Sequence, residues 1–248
     1  MDFTRKVAVI TGAASGMGAA TAREFRAAGG QVVIVDRNEP LAAQIASEID
    51  AGRPVIGDVS DPAFCTHAVE TAIQQHGRLD VLVNAAGIIV RADALGTSDE
   101  QWQRVMNVNV NGVFYMSRAA IGPMKQQGYG VIVNFGSIWG SVGAAGVVAY
   151  CASKGAVHQI TRAMALDHAR DGIRINAVCP GEVNTPMLAS ERSQPVTAEL
   201  MQRIAESVPA GRLAEPVEIA RVVLFLASDA ASYMTGAMVN VDAGYTAR

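Results

Sequence analysis

The chain has 248 residues, half of them hydrophobic, with 20 basic and 23 acidic side chains and a formal net charge of −3. That size suits one large α/β domain or two small ones, burying roughly 70–75% of the unfolded surface. No basic stripe points to nucleic acid, no charge block to a tail, and no apolar run approaches the roughly 18–20 residues of a membrane span.

The opening MDFTRKVAVITG passes almost at once into a strand-like run, so no signal peptide is expected and a cytoplasmic location is. Residues 6–12 read as a buried strand and 16–28 as an Ala-rich helix stopped by Gly29-Gly30. A second strand follows at 31–36, a helix at 39–50 and a third strand at 53–58. Then come a helix at 61–76, a strand at 79–87 and a long helix at 98–116 whose continuation is expected to be disturbed at Gly122-Pro123. The chain continues with a strand at 130–137, a helix at 150–170, a strand at 173–181, helices at 197–207 and 216–227, and a last strand at 237–244. The strands are continuous apolar runs, as in a parallel sheet covered on both faces. Repeated β-α units predict a single-domain α/β fold, a doubly wound parallel sheet of about seven strands. The least regular stretch, 182–212, carries Pro186, Pro195 and Pro209 and reads as a substrate lid.

Cys65, Cys151 and Cys179 cannot all pair, match no zinc spacing, and read as reduced, buried, cytosolic thiols. The histidines at 67, 76, 158 and 168 are scattered, and packing or surface roles are expected of them rather than metal binding.

Between the first strand and first helix lies TGAASGMG (11–18). Gly12, Gly16 and Gly18 permit tight turns and close approach of a pyrophosphate to a helix N-terminus, whose free N–H groups and dipole favour negative charge. The plain reading is a glycine-rich connection without a ligand, but the strand–turn–helix context favours a dinucleotide. Asp36 ends the second strand, 18 residues beyond Gly18, near the roughly 20 expected of an acid that accepts hydrogen bonds from adenosine ribose hydroxyls. Its plain alternative is a turn aspartate. Asp58 closes the third strand beside Val59, where an adenine could pack.

Tyr150 and Lys154 stand four residues apart in AYCASKGA, on one face of a helix with β-carbons roughly 5–6 Å apart. A free phenol, with a pKa of about 10, is too weakly acidic to serve as a base at neutral pH, and a cation one turn away favours the phenolate. Lys154 is therefore expected to lower the Tyr150 pKa.

Here the chain resembles the short-chain dehydrogenase/reductase family. The resemblance is carried by TGAASGMG (11–18), NAAG (84–87), Asn109 in NVNVNG, Ser137, YCASK (150–154), PGEVNTPM (180–187) and YMTGAMVNVDAG (233–244), in the family's order over nearly the whole chain. Two positions depart from the pattern: Ala85 stands where many members carry a second Asn, and Ala243 where Gly is common. The resemblance implies a tetrad in which Tyr150 is the general acid/base, Lys154 its partner, Ser137 a donor to the substrate oxygen and Asn109 the holder of a water in a proton relay. Asn107 and Asn111 compete with Asn109, and the family's spacing to Phe114 selects the latter.

The resemblance further implies that NAD contacts Gly12, Ser15, Gly16, Met17, Gly18, Asp36, Arg37, Asp58, Val59, Asn84, Ala85, Ala86, Gly87, Tyr150, Lys154, Pro180, Gly181, Val183 and Thr185. Ser137, Ile138, Trp139, Val147, Tyr150, Glu182, Met187 and Leu188 are expected to line the substrate pocket. Glu182 either accepts hydrogen bonds from a polyhydroxylated substrate or faces solvent. No metal is expected. The implied activity is NAD-dependent interconversion of a secondary alcohol and its ketone, by a homotetramer. The alternatives are a 3-oxoacyl thioester reductase, usually NADPH-dependent, and a non-catalytic dinucleotide-binding regulator.

Overall fold

Valine and isoleucine fill the short apolar runs. In the computed structural model, which describes residues 1–192 and 195–247, these runs pair into one seven-stranded sheet. Its strands are β1 (Val7–Thr11), β2 (Gln31–Asp36), β3 (Val55–Ile56), β4 (Val81–Asn84), β5 (Gly130–Phe135), β6 (Ile173–Pro180) and β7 (Met238–Val241). The order is β3-β2-β1-β4-β5-β6-β7, and every neighbouring pair is parallel. The helices are α1 (Gly16–Ala27), α2 (Glu39–Glu48), α3 (Pro62–His76), α4 (Asp99–Met106), α5 (Gly112–Gln127), α6 (Val148–His168), α7 (Ala198–Ser207) and α8 (Pro216–Ala227). The doubly wound parallel sheet expected from the sequence is the fold observed.

Successive side chains of a strand point to opposite faces, so each strand feeds two cores. Ile10, Ile34, Val83 and Val133 pack with Phe25 of α1 and with Ile219 and Val223 of α8. Val9, Val33, Leu82 and Ile132 pack with Val69 of α3, Met116 and Met124 of α5 and Ala165 of α6. Each fully buried large side chain among these contributes about 1.5–3 kcal/mol of transfer free energy. Strand order reverses between β1 and β4, and the crevice at their carboxyl ends is where this kind of sheet binds ligands.

Two expectations are corrected. The helix at 98–116 is not continuous: α4 and α5 are joined by a π-helical turn, Asn107–Asn111. Nor is α5 disturbed at Gly122-Pro123, since it runs through both to Gln127. Proline inside a helix loses one hydrogen bond and crowds the carbonyl four residues back and the residue before it; Gly122, without a Cβ, relieves only the last of these. Met116, Ala120 and Met124, all fully buried, hold that face of α5 on the sheet. Strand β3 is also shorter than read, since Arg53, Pro54, Gly57 and Asp58 lie outside it.

Cys65 and Cys179 are buried, but Cys151 is only half-buried, and all three are free thiols. The stretch expected to be irregular holds a short 3-10 turn at Pro186–Leu188 and all of α7, and Val183 forms a parallel bridge with Ala214. Ser193 and Gln194 of that stretch lie outside the described residues. Among the described residues no helix is long and apolar enough to cross a membrane, and no cluster of His, Cys, Asp or Glu could hold a metal ion.

Candidate active site

Helix α1 starts without a side-chain cap on its N-terminus and without an acidic residue in its first turn. By contrast α2, α3, α4 and α7 are capped by Asn38, Asp61, Ser98 and Thr197. The first N–H groups of α1 thus remain open to an anion. They face a cleft of about 290 Å³ lined by Gly12, Ser15, Gly16, Met17, Gly18, Asp36, Arg37, Asp58, Val59, Ala85, Ala86, Gly87 and Thr185. Asn38, Leu41, Gly57, Ile88 and Val108 line it too, and the sequence reading had not included them.

The glycines of this cleft are required by close approach. A Cβ on Gly18 would lie 2.2 Å from the Gly12 carbonyl oxygen, and one on Gly12 would lie 2.7 Å from the Ala86 backbone. Asp36 is half-buried at the end of β2. Its Oδ2 accepts from the Ala14 N–H (3.0 Å) and its Oδ1 from the Asn38 N–H (2.9 Å). Arg37 is exposed beside it. Thr11 Oγ1 accepts from the N–H groups of Ala85 and Ala86, both at 3.1 Å, and so fixes the NAAG segment against β1. An uncapped helix end, a backbone cradle without side chains and a carboxylate at the far strand together fit a dinucleotide.

A second cavity of about 90 Å³ adjoins the first, sharing Met17, Ala85, Gly87, Thr185 and Met187. Ser137, Ile138, Trp139, Tyr150, Lys154, Pro180, Gly181, Glu182, Val183 and Leu188 line it, and so do Ile89 and Arg91. Helix α6 carries Tyr150 and Lys154 on one buried face. Ser137 Oγ accepts from the Trp139 N–H (3.1 Å), capping the short turn after β5, and lies near enough to the phenol to favour its ionised form. The Trp139 and Tyr150 rings meet edge to face at 6.0 Å. Lys154 Nζ donates to the Phe135 carbonyl (2.7 Å) and stands 5.5 Å from the Tyr150 ring centre.

Burial dominates the electrostatics here. It pushes Tyr150 up to about 12, against the downward pull of the Ser137 hydrogen bond and the Arg91 charge. It likewise pulls Lys154 down to about 8. Against the expectation that Lys154 lowers the phenol, burial outweighs the nearby charges, and the Arg91 charge pulls in the lowering direction.

Three expected site residues stand away from the cavity walls. Asn84 is buried in the sheet, where its Nδ2 donates to Ser117 Oγ (3.1 Å) and Asn134 Oδ1 (2.9 Å). Val147 is buried among Ile89 and Tyr150, behind the wall. Asn109, fully buried in the π turn, donates from Nδ2 to the Ile88 carbonyl (2.9 Å) and to Ser153 Oγ (3.0 Å), and accepts from the Ile88 N–H (2.8 Å). Both its amide hydrogens are committed to protein, so only its oxygens could hold a water. Its neighbour Asn107 bonds instead to Gln103 and Asn111. Ala243 sits at φ 51°, in the left-handed region that costs a residue with a Cβ roughly 1–2 kcal/mol, which is the physical reason for the family's glycine there.

A family model described as enoyl-(acyl carrier protein) reductase matches residues 12–246. The chain belongs to the short-chain dehydrogenase/reductase family. It is 43% identical to meso-2,3-butanediol dehydrogenase of Serratia marcescens, over 100% of this chain and 97% of that one. It is 44% identical to galactitol 2-dehydrogenase (L-tagatose-forming) of Cereibacter sphaeroides, over 96% of this chain and 94% of the other. Among solved structures, 3-ketoacyl-(acyl-carrier-protein) reductase from Brucella melitensis complexed with NADH superposes with a TM-score of 0.92 at 36% identity, covering 98% of this chain and 99% of that one. As a member of this family the chain is an oxidoreductase.

The residue that sequence reasoning missed with most consequence is Arg91. Its one signal is position: a single cation directly after the apolar run Ile88–Val90 that follows NAAG. It donates to the carbonyls of Ser190 (3.1 Å) and Met187 (3.3 Å) while facing the cavity.

Proposed function

We propose that the protein is an NAD(H)-preferring secondary alcohol dehydrogenase, cytoplasmic and homotetrameric, acting on a polyol, sugar or other hydroxylated small molecule. The observation that carries this reading is the placement of Tyr150 and Ser137 on the wall of a small cavity that opens into the glycine-lined cleft. A bound nicotinamide supplies the hydride acceptor or donor and, when oxidised, one positive charge.

The chain's own residues do the rest. In oxidation Tyr150 Oη takes the hydroxyl proton, and in reduction it returns that proton to the carbonyl oxygen. With its phenol pushed up to about 12, Tyr150 is an acid at neutral pH until further positive charge comes near. Ser137 Oγ is placed to donate to the reacting oxygen as its charge changes. Lys154, anchored on the Phe135 carbonyl and lining the same cavity as the phenol, binds a ribose hydroxyl. Asn109 locks the π turn to Ile88, just after the NAAG segment, and to Ser153 of α6, and so acts on the tetrad's geometry. The 182–212 segment serves as a lid: Met187 and Leu188 close one side of the cavity. Arg91 and the Arg104–Glu191 ion pair (2.9 Å) fasten it.

NAD(H) is preferred because Asp36 can accept hydrogen bonds from both adenosine ribose hydroxyls, whereas a 2′-phosphate would set negative charge against it. The lost charge-assisted hydrogen bond and the repulsion together amount to about 2–4 kcal/mol. This preference also sets the 3-oxoacyl thioester reductase reading second. The test is kcat/KM for a panel of secondary alcohols and sugars with NAD+ and NADP+, followed at 340 nm, in wild type and Tyr150→Phe. Turnover with NAD+ that falls at least about a thousandfold in Tyr150→Phe, with NADH affinity kept, is expected from loss of the proton carrier. Retained turnover in Tyr150→Phe would remove the assigned acid/base, and a preference for NADP+ would remove the ribose assignment.

A further inference from the structure

Among the residues of the smaller cavity, Glu182 is the one carboxylate. It extends from backbone held on two sides: its carbonyl accepts from the Ala214 N–H (2.9 Å), and the Gly181 N–H donates to the Val241 carbonyl (3.0 Å). The side chain is half-buried on the cavity wall with Tyr150 and Ser137. It is close enough for its charge to push the Tyr150 phenol upward. No hydrogen-bond donor among the described residues serves its carboxylate; only the charges of Arg91 and Arg192 act on it, against a burial that favours the neutral acid. The two guanidiniums are themselves occupied with main-chain oxygens, Arg91 with Met187 and Ser190 and Arg192 with Leu188 (2.6 Å). A half-buried acceptor without a donor, beside the reacting group, is an incomplete hydrogen-bonding site.

We propose that Glu182 completes this site with a second hydroxyl of the substrate, adjacent to the carbinol that reacts at Tyr150, and so selects diols and polyols over lone secondary alcohols. The inference rests on the secondary-alcohol reading above and narrows its substrate class. The carboxylate discriminates by two physical routes. A second hydroxyl gains a charge-assisted hydrogen bond. An alcohol with a methyl or methylene at that place leaves the carboxylate desolvated and unpaired. The same negative charge disfavours a substrate carboxylate at this end of the cavity, although two arginines stand near.

Matched pairs that differ by one hydroxyl test the proposal: meso-2,3-butanediol against 2-butanol, and cis-1,2-cyclopentanediol against cyclopentanol, with 3-hydroxybutyrate as the anionic competitor. Wild type is expected to favour the diol of each pair in kcat/KM by at least about tenfold, the size of one hydrogen bond to a charged group. In Glu182→Leu the diol-to-alcohol ratio should fall to near one. In Glu182→Gln, which keeps an acceptor oxygen without the charge, the ratio should lie between. An unchanged ratio in both variants, or a wild type that prefers 2-butanol and cyclopentanol, would overturn the proposal while leaving the dehydrogenase reading intact. A preference for 3-hydroxybutyrate would hand the site to the arginines and overturn it as well. Absence of turnover with every one of the five compounds would count against the alcohol dehydrogenase reading itself, and this inference would fall with it.

Discussion

One turn along α6 from Lys154 lies His158, fully buried, with Nε2 3.3 Å from Cys179 Sγ and Nδ1 3.4 Å from Ser141 Oγ. A Cβ on Gly136 or Gly140 would come within 2.6 Å of the imidazole, so the glycines on either side of Ser137 make room for the ring that supports it. Burial first, and then the charges of Arg162 and Lys154, pull His158 down to about 4. In the unfolded chain it titrates near its ordinary value of about 6.5. Between those two values the unfolded chain binds more protons, so stability rises with pH from about 4 to about 6.5 and is lost as pH falls through that window. The full loss attached to this one group is about 3 kcal/mol. Wild type should therefore lose more urea stability between pH 7 and pH 4.5 than His158→Gln does. Acidic groups held low by partners, such as Glu218 beside Arg212, contribute equally to both proteins and cancel. Equal pH slopes for the two would show that the buried imidazole carries no such penalty.

At the scale of elements, the first β-turn-α unit makes the sharpest demand on sequence. A Cβ on Gly18 meets main-chain atoms of Gly12 at 2.2 and 2.8 Å, and main chain cannot swing aside as a side chain can. Gly18→Ala must open the turn between β1 and α1, and overpacking of this kind costs about 1–3 kcal/mol. It should lower Tm by several degrees and weaken NADH binding by tenfold or more, read by fluorescence titration. Unchanged binding would mean that the turn does not cradle the cofactor.

That unit was also the most legible in the sequence, since a glycine has few reasons to recur at a strand end except backbone approach. The strands were legible because β-branched runs buried on both faces leave little else to form. The π turn was not. Its residues NVNVNG have helical spacing on either side, and the deformation is fixed by tertiary contacts of Asn109 with Ile88 and Ser153, far off in the chain. Pro123 misled for the opposite reason: it normally breaks a helix, and here the burial of Met116, Ala120 and Met124 on the sheet holds α5 through it, with the missing Cβ of Gly122 easing part of the crowding. Tyr150, Lys154 and Ser137 were legible as a constellation, but their electrostatics were not. Spacing shows which groups are neighbours and says nothing of how deeply they are desolvated, and desolvation decides the Tyr150 pKa. Asn84 and Val147 were assigned to cavity walls from motif position, whereas the strand alternation and the helix start turn them inward.

At the scale of the whole molecule, the described residues leave apolar surface that their sheet and helices do not cover. On α6 the side chain of Leu166 stands in solvent at 83% exposure, and on α4 and α5 Trp102 and Phe114 are partly exposed in the same helical layer. Away from them, among the described residues β7 ends the sheet as an edge strand with no partner beyond it, and Tyr233 before it is fully exposed. An open edge and an exposed apolar helix layer are each liabilities in a lone subunit. Each can be covered by a second copy of the same surface across a two-fold axis, and two different two-fold interfaces on one subunit close at four subunits. Stable interfaces bury roughly 1,200–2,000 Å² in total, so one substitution at the centre of the helical face should matter more than one at a rim. Light scattering at micromolar concentration should give four times the mass of one chain, and Leu166→Glu should shift it toward the dimer held by the β7 edge. A stable monomer in wild type would refute both interfaces, and a tetramer unaffected by Leu166→Glu would place the helical face outside the assembly.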